Sequence, residues 1–247
     1  MNPIAVIDFE TTGLSPAMGD RATEIAIVML EGTKVVARFQ SLMNAGVRIS
    51  RFIEDYTGIS NEMIRTAPPA GEVMAQAARF VGGAPLVAHN ASFDQRFWAA
   101  ELGRVGQDAK WDHPFACTML LSRRLYPQAG SYRLGSLASF HALPCAGRAH
   151  RAMADAEVAA ALLSRIRGDL QREYAVDEAP HDLLVKLQRC QRKALPKAIA
   201  GYFQAMRPNQ STDSDAAVSV TRAEISATSP VSSVSRALTC NRDPSVS

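Results

Sequence analysis

Five side chains are of the right types and local settings to do chemistry together: Asp8 and Glu10 in Ile-Asp-Phe-Glu-Thr-Thr-Gly-Leu, Asp94 in His-Asn-Ala-Ser-Phe-Asp, and His150 with Asp155 in His-Arg-Ala-Met-Ala-Asp. Four carboxylates aimed at one point cannot all stay ionised without cations between them. Oxygen-only ligands select hard divalent ions, Mg2+ or Mn2+. Two such ions about 3.5–4 Å apart clamp the attacking and leaving oxygens of an in-line phosphoryl displacement. The attacking water then needs a base. Histidine ordinarily titrates near neutrality, and His150 is the candidate.

The elements that must position these groups follow from the apolar pattern. Ile4 to Phe9 reads as a buried strand, and because strand side chains alternate, Asp8 and Glu10 share a face at its end. Glu24–Leu30 and Lys34–Leu42 read as two more strands joined through Glu31-Gly32-Thr33. Gly71–Val81 has helical spacing, stopped by Gly82-Gly83, and Leu86–Ala88 is a further buried strand. A helix capped at Asn90 or Ser92 then carries Asp94 in its first turn. Parallel pairing of its strand with the opening one would bring that turn to the carboxyl edge of the sheet. Helices are expected over Thr118–Leu125, Leu134–His141 and Ala152–Arg165. His150 and Asp155 lie five residues apart, roughly 140° around an ideal helix, so they meet only if His150 precedes that helix. The order of elements is that of an α/β or α+β domain with a mixed sheet, and α/β is the class we expect.

These three segments resemble the motifs of the DnaQ-like DEDD-type 3′→5′ exonucleases, histidine subgroup. The resemblance covers roughly residues 3–165: Asp8 to Leu14 looks like the first motif, His89 to Asp94 the second and His150 to Ala156 the third. It implies a ribonuclease H-like fold with a central mixed five-stranded sheet flanked by helices. It also implies that Asp8, Glu10, Asp94 and Asp155 bind two metal ions and that His150 is the general base. Thr11, Thr12, Gly13 and Leu14 would hold the terminal nucleotide. The implied substrate is a nucleic acid with a free 3′ end, single-stranded DNA favoured. RNA ends are the alternative substrate, and a mainly polymerase-binding subunit the alternative role.

The remaining acids and rings have plainer readings. Glu24 is expected to hydrogen-bond a neighbouring loop, His89 to hold a strand end, and Phe93, Phe97 and Trp98 to be core. Asp20, Asp108 and Asp112 read as loop acids, and His113, His141 and His181 as structural or solvated.

The 247 residues are 47% hydrophobic and 21% charged, as in soluble globular proteins, and no stretch approaches the roughly 18 apolar residues of a membrane span. Cys117, Cys145, Cys190 and Cys240 stand far apart, so reduced thiols and a cytoplasmic location are expected. The net charge of +3 is uneven: residues 1–164 carry 15 basic and 15 acidic side chains, whereas Leu183 to Arg207 has six basic and no acidic ones. We therefore divide the chain into an exonuclease-like domain (1–170), a basic helical extension (171–207) and a Ser/Thr-rich tail (208–247) read as disordered. Within the extension, Asp182 can cap a helix with an apolar face of Leu183, Leu184, Leu187 and Ala194, ended or kinked by Pro196. A DNA polymerase or repair partner held through 171–247 is one role for this region.

Overall fold

A computed structural model describes residues 3–106, 114–144 and 150–206, and the tail expected to be disordered lies outside them, as do Asp108, Asp112 and His113. Five strands form one sheet: β1 (Ile4–Thr11), β2 (Ala22–Glu31), β3 (Lys34–Leu42), β4 (Leu86–Ala88) and β5 (Ala116–Cys117), in the spatial order β3-β2-β1-β4-β5. β1 pairs antiparallel with β2 and parallel with β4, so the sheet is mixed. The β2–β3 connection turns at Gly32, whose φ of 62° lies in the left-handed region that glycine enters without a side-chain clash.

The helices are α1 (Arg51–Thr57), α2 (Asn61–Arg65), α3 (Ala70–Val81), α4 (Ser92–Gly103), α5 (Thr118–Leu125), α6 (Leu134–Phe140), α7 (Ala152–Tyr174), α8 (His181–Leu187) and α9 (Leu195–Met206). The alternation of β1 sorts them into two layers. Its odd residues Ala5, Ile7 and Phe9 pack with Val73, Met74 and Ala77 of α3 and Phe97, Trp98 and Leu102 of α4. Its even residues Ile4 and Val6 pack with α7, whose buried Ala152, Ala156, Ala159, Leu163, Ile166 and Leu170 recur at four- and three-residue steps. Small residues in the first two turns of that stripe let α7 approach β1 closely, and Asp8 and Glu10 continue the same face of the strand.

α7 runs nine residues past its expected end at Arg165, to Tyr174, because the apolar stripe continues through Leu170. The first helix of the extension ends at Leu187 rather than reaching Ala194, and Pro196 stands in the first turn of α9, where its missing N–H has no partner to lose. Leu183, Leu184 and Leu187 of α8 and Leu195 and Ile199 of α9 belong to the same buried cluster as Val6 and Val28 of the sheet. Gln188 ties this layer to the outermost strand: its Oε1 accepts from the Cys117 amide at 2.6 Å and its Nε2 donates to the Phe115 carbonyl at 3.0 Å. One side-chain amide thus does for β5 what another strand would. Lys186 is engaged within the extension, 5.8 Å from the centroid of the Tyr202 ring. No helix among the described residues is long and apolar enough to cross a membrane.

Candidate active site

The site lies at the carboxyl end of β1. Asp8 and Glu10 project from one face of the strand, and α7 brings Asp155 over that face in its first turn. Carboxylate oxygens of Asp8, Glu10 and Asp155 all lie within 4.8 Å of one another. Asp94 arrives from the opposite layer, in the first turn of α4, and is buried at 2% exposure. Its Oδ1 accepts from the Phe9 amide at 3.2 Å, so it stands beside the group of three rather than within it.

Negative charge accumulates here with only partial compensation. Burial, followed by Asp94, Glu10, Asp155 and Glu24, holds the Asp8 carboxyl well above the ordinary carboxylate range. Glu10 is pushed up to about 8 by burial and by the charges of Asp155 and Glu24, against a weaker pull from Arg151. Asp94 is also raised well above its ordinary value, mainly by burial, although its own amide and that of Phe9 oppose the shift. Burial raises Asp155 against opposing interactions with His150. Carboxyl groups so placed hold protons or take up cations, and an oxygen-only donor group fits hard divalent ions.

His150 precedes α7, as its spacing from Asp155 requires. Its φ of 61° is a left-handed conformation that a non-glycine residue adopts only when held. Two contacts hold it: its amide donates to Asp155 Oδ2 at 3.3 Å, and its ring stacks on Tyr56 with centroids 3.9 Å apart. The next residue, Arg151, donates to Glu24 from two guanidinium nitrogens at 2.8 and 3.0 Å, and the Ala152 amide donates to the same carboxylate at 3.1 Å. Burial pushes Glu24 up, but these bonds and one from Gln40 outweigh it, leaving the carboxyl below its ordinary value. Glu24 therefore binds the start of α7, in line with its reading as a hydrogen-bonding residue, and stands opposite Glu10 in the strand register.

Thr11, Gly13 and Leu14 line a cavity of about 350 Å3 together with Asp8, Glu10 and Asp155. Leu14 is 79% exposed at its mouth. Thr12 is directed elsewhere: its amide donates to the Arg21 carbonyl at 2.9 Å, and its hydroxyl accepts from the Arg21 amide at 3.0 Å. A Cβ at Gly13 would collide with the Asp20 carboxylate, which accepts from the Ser15 amide at 2.9 Å, so Asp20 is a loop acid that shapes the loop. Arg21 closes the loop with a two-pronged pair to buried Glu101 on α4, 2.8 Å at each prong.

His89 is structural. Its Nε2 donates to the Tyr132 carbonyl at 3.0 Å, its Nδ1 faces the Thr118 hydroxyl at 2.9 Å, and burial depresses its pKa to about 4, which keeps it neutral. Phe97 and Trp98 are core, as expected, whereas Phe93, expected with them, is half-buried and lines the cavity. Sequence reasoning missed Tyr56 and the neighbouring Phe52 and Ile53, which complete the cavity wall. α1 spans only seven residues, too few for a periodic signal, although Ser50 does cap it by accepting from the Ile53 amide.

The comparisons with known proteins agree with this arrangement. The chain is 36% identical over 166 residues to a PolC-type DNA polymerase III of Caldanaerobacter subterraneus subsp. tengcongensis, covering 67% of this chain and 12% of that protein. It is 35% identical over 184 residues to the 3′-5′ exonuclease DinG of Bacillus subtilis, covering 74% of this chain and 19% of that one. The chain thus spans under a fifth of the length of either relative. Among solved structures, exonuclease X in complex with 5′ overhanging duplex DNA superposes with a TM-score of 0.58 at 26% identity, over 75% of this chain and 99% of that one. E. coli exonuclease I in complex with a dT13 oligonucleotide shares the fold, with a TM-score of 0.61 at 19% identity over 71% of this chain and 43% of that one. Residues 5–163, which include Asp8, Glu10, Asp94, His150 and Asp155, match the family described as Exonuclease (RNase_T), and the chain belongs to that family.

Proposed function

We propose that this chain is a 3′→5′ exonuclease that releases nucleoside 5′-monophosphates from nucleic-acid ends, with DNA as its substrate. The observation that carries this reading is the cluster of Asp8, Glu10 and Asp155 oxygens within 4.8 Å of one another, beside His150 on the wall of the same cavity. Asp8, Glu10 and Asp155, with Asp94 behind them, would hold two divalent cations, Mg2+ or Mn2+. When bound, these supply Lewis-acid stabilisation of the phosphoryl oxygens and a stronger nucleophile at neutral pH. The protein's own part is positioning and proton transfer. His150, fixed by Tyr56 and by its own amide, takes the proton of the attacking water on an imidazole nitrogen. The cavity of about 350 Å3 lined by Thr11, Gly13 and Leu14 is of a size for one terminal nucleotide. Support for DNA comes from the PolC-type relatives and from the duplex DNA bound by exonuclease X.

Product analysis on end-labelled oligonucleotides tests the reading. With Mg2+ or Mn2+, a 3′-label should appear at once in mononucleotide and a 5′-label should descend through a ladder, with both reactions stopped by chelator. Internal cuts, or loss of the 5′-label first, would rule it out. Matched RNA decides the sugar preference. A polymerase or repair partner through residues 171–247 belongs to the same proposal and is tested by pull-down with the full chain and with one ending at residue 206.

A further inference from the structure

A second, larger cleft of about 1260 Å3 meets the first at Tyr56, His150 and Asp155 and runs from there past His89 to Arg123, Tyr132 and Arg133. We propose that it seats the unpaired strand leading up to the cleaved phosphodiester, with Arg123 and Arg133 contacting its backbone phosphates. This rests on the nuclease reading for what occupies the smaller cavity.

Size is the first argument. A cavity of about 350 Å3 is that of a single small unit, whereas one of about 1260 Å3 exceeds the roughly 300–1,000 Å3 of ordinary small-molecule pockets and suits a chain of linked units. Charge is the second. Asp155, at the junction, is the acid on this wall, and away from it the charged lining groups are Arg123 and Arg133, both exposed. Among the described residues, eight arginines are paired with protein carboxylates, whereas Arg123 and Arg133, like Arg48, Arg79, Arg96, Arg124, Arg189 and Arg192, are not; what sets these two apart is that they line the cleft. Two arginines left to a cleft fit phosphate oxygens, which the guanidinium fork matches.

Aromatic placement is the third argument, and it favours a single strand over a duplex. Arg123 lies over the Tyr132 ring at 5.7 Å, and the Tyr132 hydroxyl donates to the Tyr126 carbonyl at 3.0 Å, which fixes the ring. Tyr56, 49% exposed, stands at the junction. Basic groups interleaved with aromatic faces along a groove are the pattern that tracks a phosphate backbone while unpaired bases stack. The wall is also built in advance. His89 braces it by joining the start of α5 to the Tyr132 segment through its two ring nitrogens.

Fluorescence anisotropy of a labelled oligothymidylate of about 12 nucleotides, titrated with the full chain in chelator, reads this cleft without cleavage. Arg123→Gln with Arg133→Gln should weaken binding about tenfold and flatten the slope of log affinity against log salt by about 1.4, while the double lysine variant should restore most of that slope. Wild-type affinity and slope in the glutamine variant would overturn the proposal. So would failure of the lysine variant to restore the slope while its melting curve matches that of the wild type, or tighter binding of a blunt duplex than of single-stranded DNA. Hydrolysis of the p-nitrophenyl ester of thymidine 5′-monophosphate by the wild-type chain reports separately on the nuclease reading. No turnover, together with arginine-dependent binding, would fail that reading and leave the cleft standing. Turnover with arginine-independent binding would do the reverse.

Discussion

Three carboxylates within 4.8 Å of one another make the protonation of Glu10 a property of the whole site. Its folded pKa of about 8 lies above the value it returns to on unfolding, so the folded protein binds the extra proton between the two. Its contribution to stability is complete below the unfolded pKa and is lost as pH rises through about 8. In chelator, the Tm of the wild-type chain should therefore fall from about pH 5.5 to about pH 8.5, by roughly 5 °C more than that of Glu10→Gln. Parallel curves would show that Glu10 is not the titrating group. Cation binding should release protons, seen as a buffer-dependent heat in calorimetry. For catalysis, His150→Ala should cut turnover by about 10²- to 10⁴-fold if His150 is the base proposed above, and Asp155→Ala at least as far. Near-normal rates in either purified variant would refute their roles. At this scale the sequence was informative because carboxylates and histidine reveal their chemistry by type. It was silent on Tyr56, since an aromatic residue in a seven-residue helix is indistinguishable from core until its exposure is seen.

Elements place those residues, and the start of α7 is the critical one. Glu24, 1% exposed, receives two guanidinium bonds from Arg151 and one from the Ala152 amide. Glu24→Ala should cost about 3 kcal/mol, roughly 6–12 °C in Tm, because it orphans these donors. It should also lower turnover, since His150 and Asp155 lose their common anchor. A melt within a degree of wild type would show that the anchor is dispensable. Elements with a local pattern were legible: β1 to β4 and α3 to α5 declare themselves by apolar runs, by alternation or by 3.6-residue spacing. β5 was not, because Ala116-Cys117 is two residues long and exists only through its pairing with β4 and the bonds from Gln188. The end of α7 was misjudged because past Arg165 its buried stripe is carried by Ile166 and Leu170 alone, set among charged residues and Gly168.

For the whole molecule, the extension behaves as part of one packed body. A boundary at residue 170 would cut α7 before its end at Tyr174 and strip Leu183, Leu184 and Leu187 from the core. A chain ending at 170 should be insoluble or melt far below one ending at 206, and Gln188→Ala alone should cost about 2–4 kcal/mol by leaving the Cys117 amide and the Phe115 carbonyl unpaired. Equal melting of the two truncations would overturn that view. Composition pointed to a basic appendage because charge is visible in a sequence, whereas the apolar face that docks it is recognised only once its partner surface is known. α7 has a consequence of its own. With 23 residues it is a rod of about 35 Å, bearing Asp155 at one tip and leading into the extension at the other. One rigid element therefore joins the acidic pocket to the packing of the extension, and a change that loosens the far end should register at Asp155 as well as in the melting curve.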